Sequence, residues 1–264
     1  MDNVFKGAWW RRRKESNKLM RRKLVRLNTV LFAGLLLPLG VRAQDGYLFR
    51  APVVSVSLRV GASLPTASDP LHRFFMDELT LSRRDFTAVA VGGDLAVQVN
   101  PRVDLLGSIS VARTDRGSEF RDWVDENDLP IQQSTRLQRT PVLLGARIFG
   151  RDRGQSAGRF AWVPNHFLPY VGGGAGVMWY ELEQEGWFVD FEDLDIFSDF
   201  FHASGTTPLV SVFGGAEWWP SARFGLNIEG RFSYARAALR GDFRDFDHID
   251  LSGFQLMAGL STRF

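Results

Sequence analysis

The stretch that decides the fold is LSGFQLMAGLSTRF, residues 251–264. Its side chains alternate strictly, so that Leu256 and Leu260 fall on one face and Gln255 falls on the other. A repeat of two residues is typical of a β-strand with one apolar face, not of a helix. The stretch ends on Phe264, and a strand exposed to water would gain little from such an end. We therefore expect a strand that faces lipid and closes a barrel.

Seven earlier segments of 9 to 14 residues alternate in the same way, and these lengths are enough for a tilted membrane strand. The eight predicted strands cover residues 53–61, 86–99, 103–113, 137–149, 168–181, 208–219, 224–235 and 251–264. In hydrocarbon an open sheet edge leaves backbone groups unpaired, so the sheet must close. The sequence predicts an all-β fold, an eight-stranded antiparallel up-and-down transmembrane barrel formed by residues 44–264. Pro141 cannot donate to a strand ladder, so a bulge or a gap is expected there.

Residues 1–43 have the character of a targeting segment. A basic stretch from Met20 precedes an apolar run at 27–41 and a small-residue cleavage site that ends at Ala43. The apolar run is short of the roughly 20 residues of a membrane-spanning helix. We expect a cleaved signal peptide behind an N-terminal extension, and we hypothesise that translation begins at Met20.

Composition narrows the classes of function. The 264 residues include no cysteine, so neither a disulfide framework nor a thiolate metal site is available. Of the 32 basic residues, 11 precede Gln44 with only two acids, and the remaining chain is net acidic. A nucleic-acid partner is therefore not expected.

An eight-stranded barrel has an interior just wide enough for side chains. We expect its inward charges to form a plug of ion pairs, and we favour this over a gated ion path. The predicted lumen charge cluster is Asp94, Asp104, Arg147, Glu217, Glu229, Arg231 and Arg263. Two aromatic belts are expected at the bilayer interfaces. The periplasmic belt would hold Phe149, Trp218, Trp219, Phe224 and Phe264, and the outer belt Phe86, Trp179, Tyr234 and Phe254.

The third outer loop, residues 186–201, is rich in aromatics and acids. Three interpretations stay open: a patch that binds a partner, a calcium site, and a short amphipathic helix packed over the barrel mouth. The acids lack the ordered spacing of a calcium loop. The interaction candidates are Trp187, Phe188, Phe191, Phe197, Phe200 and Phe201.

Two further segments lie beside or between the predicted strands. His202 and Ser204 could act with Glu217 as base, nucleophile and orienting acid, but Glu217 should point inward at the opposite end of the barrel. A catalytic set is therefore not expected. We also expect no cofactor, and a metal site is the least favoured interpretation of the third outer loop. The connection 150–166 is expected to be a mobile turn.

Together these features resemble small outer-membrane barrels of the OmpA/OmpX type. The resemblance covers the barrel alone and not the periplasmic peptidoglycan-binding domain that OmpA carries. It implies export to a bacterial outer membrane, surroundings of lipid and lipopolysaccharide, and insertion by the barrel-assembly machinery, with Phe264 as the C-terminal assembly signal. We expect a structural or surface-interaction role towards an extracellular ligand or protein. The alternatives are a narrow channel for small solutes and, less favoured, a lipid-modifying enzyme.

Overall fold

A computed structural model describes residues 47–190 and 193–264. The predicted signal peptide and Phe191 lie outside the described residues. Eight long strands close into one antiparallel barrel, as predicted. They are β1 Val54–Pro65, β2 Ala88–Asn100, β3 Val103–Val124, β4 Pro130–Phe149, β7 Phe167–Val189, β8 Ile196–Trp218, β9 Phe224–Tyr234 and β12 Gly253–Arg263.

The barrel closes where β1 pairs with β12 along its whole length. Period-two alternation puts the apolar side chains outside, where Leu144, Val171 and Leu260 are 73%, 65% and 67% exposed. Such exposure suits lipid and not water, because it presents a continuous apolar surface. In the described part of the chain, no helix is long and apolar enough to cross a membrane. We call the end that holds both chain termini of the barrel the lower end.

Four neighbouring strands are much longer than predicted. β3, β4, β7 and β8 have 20 to 23 residues, whereas the other four have 11 to 13. The extra residues all lie at the upper end, where these strands continue as a tall wall beyond the others. The predicted ends at residues 113, 137, 181 and 208 were therefore wrong. The third outer loop is a continuation of β7 and β8 and not a helix.

The connections at the upper end fold into a cap, residues 66–87 and 235–252, against the inner face of the tall wall. The first part contains helix α1, Pro70–Glu78, and a 3₁₀ turn, Arg83–Phe86. The second contains the short strands β10, Arg236–Ala238, and β11, His248–Asp250, around a 3₁₀ turn. Their apolar side chains bury each other and those of the wall. The cap core includes Leu71, Phe75, Phe86, Phe120, Leu182, Phe188, Phe201, Phe243 and Ile249.

The connection at 150–166 was expected to be a mobile turn, but it forms a small hairpin. Strands β5, Gly154–Ser156, and β6, Trp162–Pro164, pair beneath the barrel. The ladder between β3 and β4 has no Cα partners opposite Pro141, and it resumes in the same register on both sides. Pro141 therefore produces a gap and not a bulge.

Candidate functional site

The lower part of the lumen is filled by an ion network around Arg147. Its guanidinium lies 2.9 Å from Asp104 Oδ2 and 2.7 Å from Glu217 Oε1. Arg153, from the hairpin connection, approaches Asp104 from below at 2.7 Å. All four side chains are almost fully buried. Each carboxylate therefore has a cation partner, as buried charges require.

The middle of the lumen holds a second network. Arg59 lies between Asp94, with which it forms a very close ion pair, and Glu229 at 2.8 Å. Arg231 donates to Glu229 at 2.8 Å. Tyr170 donates its hydroxyl proton to the other oxygen of Glu229 at 2.9 Å. The middle level of the lumen thus holds alternating charges beside the Tyr170 ring.

Two arginines of the lumen lack a carboxylate partner among the described residues. Arg263, predicted to belong to the ion cluster, is buried there but donates to the carbonyl oxygen of Ala222 at 2.7 Å and lies 3.9 Å from the Trp219 ring centroid. Arg139 is buried higher up and donates to Ser63 Oγ at 3.1 Å. The space beside Arg139 has a volume of about 10 Å³, which is room for about one water molecule.

Sequence reasoning placed all seven charges of the predicted cluster in the lumen but missed Arg59, Arg139 and Arg153. Arg59 and Arg139 lie on the inward faces of predicted strands, so alternation alone could have found them. Arg153 comes from a connection, where no periodic signal exists.

A latch of polar groups joins the two parts of the cap. Thr66 and Ser68 donate their hydroxyl protons to Asp250 Oδ2 at 2.6 and 2.7 Å. The backbone N–H of Asp250 donates to Asp69 Oδ2 at 2.8 Å. Burial would raise the pKa of Asp250, but these hydroxyls and Ser252 outweigh it and lower that pKa to about 2. The latch therefore contains an ionised carboxylate at neutral pH.

The aromatic belts are only partly as predicted. Outward-facing, exposed rings lie at the lower end at Trp218, Phe224 and Phe264, and at the upper end at Trp179, Tyr234 and Phe254. Three other predicted belt members are buried instead: Phe149, Trp219 and Phe86. The cause of burial differs for each of these three residues. Phe149 shares the inward face of β4 with Arg147, Trp219 turns under the barrel to donate to Glu217 at 2.9 Å, and Phe86 joins the cap core.

The predicted interaction candidates of the third loop separate onto two faces of the β7–β8 hairpin. Phe188 and Phe201 are buried in the cap core, and Phe197 packs against it. Trp187 and Phe200 face outward and are 53% and 44% exposed. The interpretation of this segment as a short amphipathic helix was wrong, because its residues pair as the two strands of the hairpin.

A row of polar side chains crosses the outward face of the tall wall. Arg136 lies 2.7 Å from Asp115 on one side and 2.7 Å from Glu183 on the other. Its hydrogen bond holds the pKa of Asp115 below the usual range. Glu183 Oε1 is in turn 4.0 Å from His202 Nδ1. One row thus connects four adjacent strands.

Directly below this row, an open groove of about 350 Å³ lies at the level of Trp179. Its outward-facing lining residues are Gln138, Thr140, Trp179, Glu181, Ser204 and Thr206. Glu217 is far from this groove, because it is inward at the lower end and paired with Arg147. Glu217 therefore does not lie beside His202 and Ser204.

Comparison with known proteins finds similarity in fold. No protein-family model and no curated protein matches the sequence. Solved structures that it resembles include the outer membrane protein OprG of Pseudomonas aeruginosa, at 13% identity and a TM-score of 0.47, with 83% of this chain and 98% of OprG covered. Neisserial surface protein A follows at 11% and 0.43, covering 81% and 98%. Ail of Yersinia pestis matches at 12% and 0.41, covering 84% and 100%.

The fold is that of an eight-stranded antiparallel β-barrel. At these identities the likeness concerns the fold alone.

Proposed function

We propose that this protein is a bacterial outer-membrane barrel with a closed lumen, which acts through its outer surface and not through a pore. The observation that carries the proposal is the double closure of the interior. Ion networks around Arg147 and Arg59 fill the lower and middle lumen, and the apolar core of the cap fills the upper mouth. In this proposal the lower end is periplasmic and the cap and tall wall are extracellular, with lipid and lipopolysaccharide around the apolar band.

The surface for a partner is the outward face of the β7–β8 hairpin. Trp187 and Phe200 present exposed rings there, and Glu185 is the cross-strand neighbour of Phe200. Aromatic side chains dominate the energetics of many interfaces, and the neighbouring acid favours a cationic group on the partner. The hairpin would therefore contact an extracellular ligand or protein with apolar and basic groups.

Conductance tests the closed lumen. The purified protein is reconstituted into a planar bilayer and recorded over a range of voltages. We expect no discrete current steps, because two independent layers block the path. Reproducible single-channel steps from the pure, unmodified protein would overturn the closed-lumen proposal and favour the narrow channel.

A surface variant separates the structural role from the interaction role. Replacing both Trp187 and Phe200 by Ser removes two exposed rings and leaves the cap core intact, whereas Phe160→Ser removes an exposed ring from the lower hairpin as a control. A strain lacking the protein is complemented with each variant, and attachment to surfaces and permeability to detergent are measured. An interaction role predicts loss of attachment with the double variant alone. If the double variant restores both properties fully, the hairpin is not the contact surface.

We take the role to be non-enzymatic, because the residues proposed as a hydrolytic set lie at opposite ends of the barrel. Mass spectrometry of lipid A from strains with and without the gene tests this point. A gene-dependent loss or gain of an acyl chain or headgroup would contradict it.

A further inference from the structure

Three side chains on the outward face of the tall wall lie close together, where the polar row meets the open groove. Glu181 and Glu183 lie two residues apart on β7, so both face outward. His202 is the cross-strand neighbour of Glu183 on β8. One ligand atom from each of the three lies within 4.8 Å of the other two. All three are partly exposed and can be reached from outside.

The neighbours of these residues hold them in place. Arg136 donates to Glu183 Oε2 at 2.7 Å, which leaves Oε1 directed towards His202 Nδ1 at 4.0 Å. Arg136 is itself fixed by two N–H donations to Asp115 Oδ2, at 2.9 and 2.7 Å. The backbone N–H of His202 donates to Asp242 of the cap at 2.8 Å. Carboxylate ligands of metals are oriented by hydrogen bonds of this kind.

We propose that Glu181, Glu183 and His202 bind a divalent cation of the zinc class. Imidazole nitrogen with two carboxylates is a donor set that suits zinc, whereas calcium needs six to eight oxygen ligands. Zinc bonds of about 2.0–2.2 Å bring ligand atoms roughly 3.3 Å apart, so the side chains close in by about 1.5 Å on binding. Rotations of the two glutamate side chains supply this movement without a change in the strands.

Three protein ligands leave one position of a tetrahedral ion open. Glu181 also lines the groove beside Ser204, so the open position faces that groove at the level of the exposed Trp179 ring. An ion here would be available to an exogenous oxygen ligand from outside the barrel.

The test is isothermal titration of the refolded full barrel in detergent micelles, without a polyhistidine tag and after treatment with a chelator. The probe is zinc chloride, with magnesium chloride as the comparison. We expect saturable binding of one zinc ion per barrel and much weaker binding of magnesium. His202→Ala and Glu181→Gln should each weaken zinc binding by about 10–100-fold or more. Glu185→Gln, which removes an outward acid two residues beyond Glu183, is the matched control and should change the affinity by less than about 2-fold.

Two further measurements keep the result decisive. The shift in gel mobility between heated and unheated protein shows that each variant is folded. Anomalous scattering at the zinc absorption edge locates the ion. The proposal would be overturned if the folded wild type showed no saturable zinc binding. It would also be overturned if the His202→Ala and Glu181→Gln variants both bound zinc as tightly as the wild type, because these residues would then form ion pairs only.

Discussion

Replacing Arg147 by Met tests how much the lower ion network stabilises the barrel. The substitution keeps most of the apolar stem and removes the guanidinium between Asp104 and Glu217. Removing one partner of a buried ion pair destabilises a protein by about 3–5 kcal/mol, because the other charge stays buried. Asp104 keeps Arg153 at 2.7 Å, so Glu217 alone loses its close cation. We therefore expect a loss near the lower limit, about 3 kcal/mol.

The loss can be measured by urea titration of the refolded barrel, followed by tryptophan fluorescence and by gel mobility. With a denaturant slope of about 2 kcal/mol/M, the midpoint should fall by about 1.5 M. Adding Glu217→Gln to the Arg147→Met variant removes the stranded charge and should recover a substantial part of the loss. Arg102→Met is the control, because its ion pair with Asp152 is largely exposed and contributes at most about 1 kcal/mol. The reasoning is refuted if Arg147→Met is no more harmful than Arg102→Met, or if the double variant recovers nothing.

Three other outcomes are expected. The latch carboxylate of Asp250 has a pKa of about 2, below the roughly 3.9 of an unfolded Asp. The stability that it contributes is therefore complete above about pH 4 and is lost as the pH falls towards 2. Hydrogen exchange in the cap should rise over that range in the wild type, and the Asp250→Asn variant should lack this pH step. Phe243→Ala leaves a cavity worth about 3–5 kcal/mol in the cap core, so trypsin should cut the cap while gel mobility still reports a folded barrel; an uncut cap would contradict this. Gly176→Val should prevent barrel folding, because its side chain would meet the backbone of β4, whereas Gly117→Ala, which has open space, should fold normally.

The membrane part of the fold was predictable because lipid enforces a strict rule. Outward residues there are apolar and charged residues point inward, so alternation marks each strand. In the upper halves of the long strands the alternation of apolar and polar residues is weaker, because water lies outside them. On β3, outward Arg113 and Asp115 flank inward Thr114, and three polar residues in succession show no hydropathy period. The tall wall could therefore not be read from the pattern.

The residues of the candidate site were predictable only where they lie on strands with clear alternation. The inward charges of the strands follow from alternation, whereas Arg153 arrives from a connection that the pattern left undefined. The convergence of Glu181, Glu183 and His202 depends on the register of the β7–β8 hairpin, next to a segment for which a short helix was one interpretation. Register between two strands depends on contacts far apart in the chain, and a single sequence does not display them.

The position of the latch has a consequence for how the protein matures. Residues 66–69 follow β1, and Asp250 precedes β12, the two strands that form the last seam of the cylinder. These segments are separated by about 180 residues and meet only when the first and last strands zip together. Until then, Phe75 and Phe243 cannot be buried in one apolar core. A protease-resistant cap therefore indicates that the barrel has closed. In a chain whose barrel is still open, the apolar cap segments would be exposed and open to cleavage by proteases.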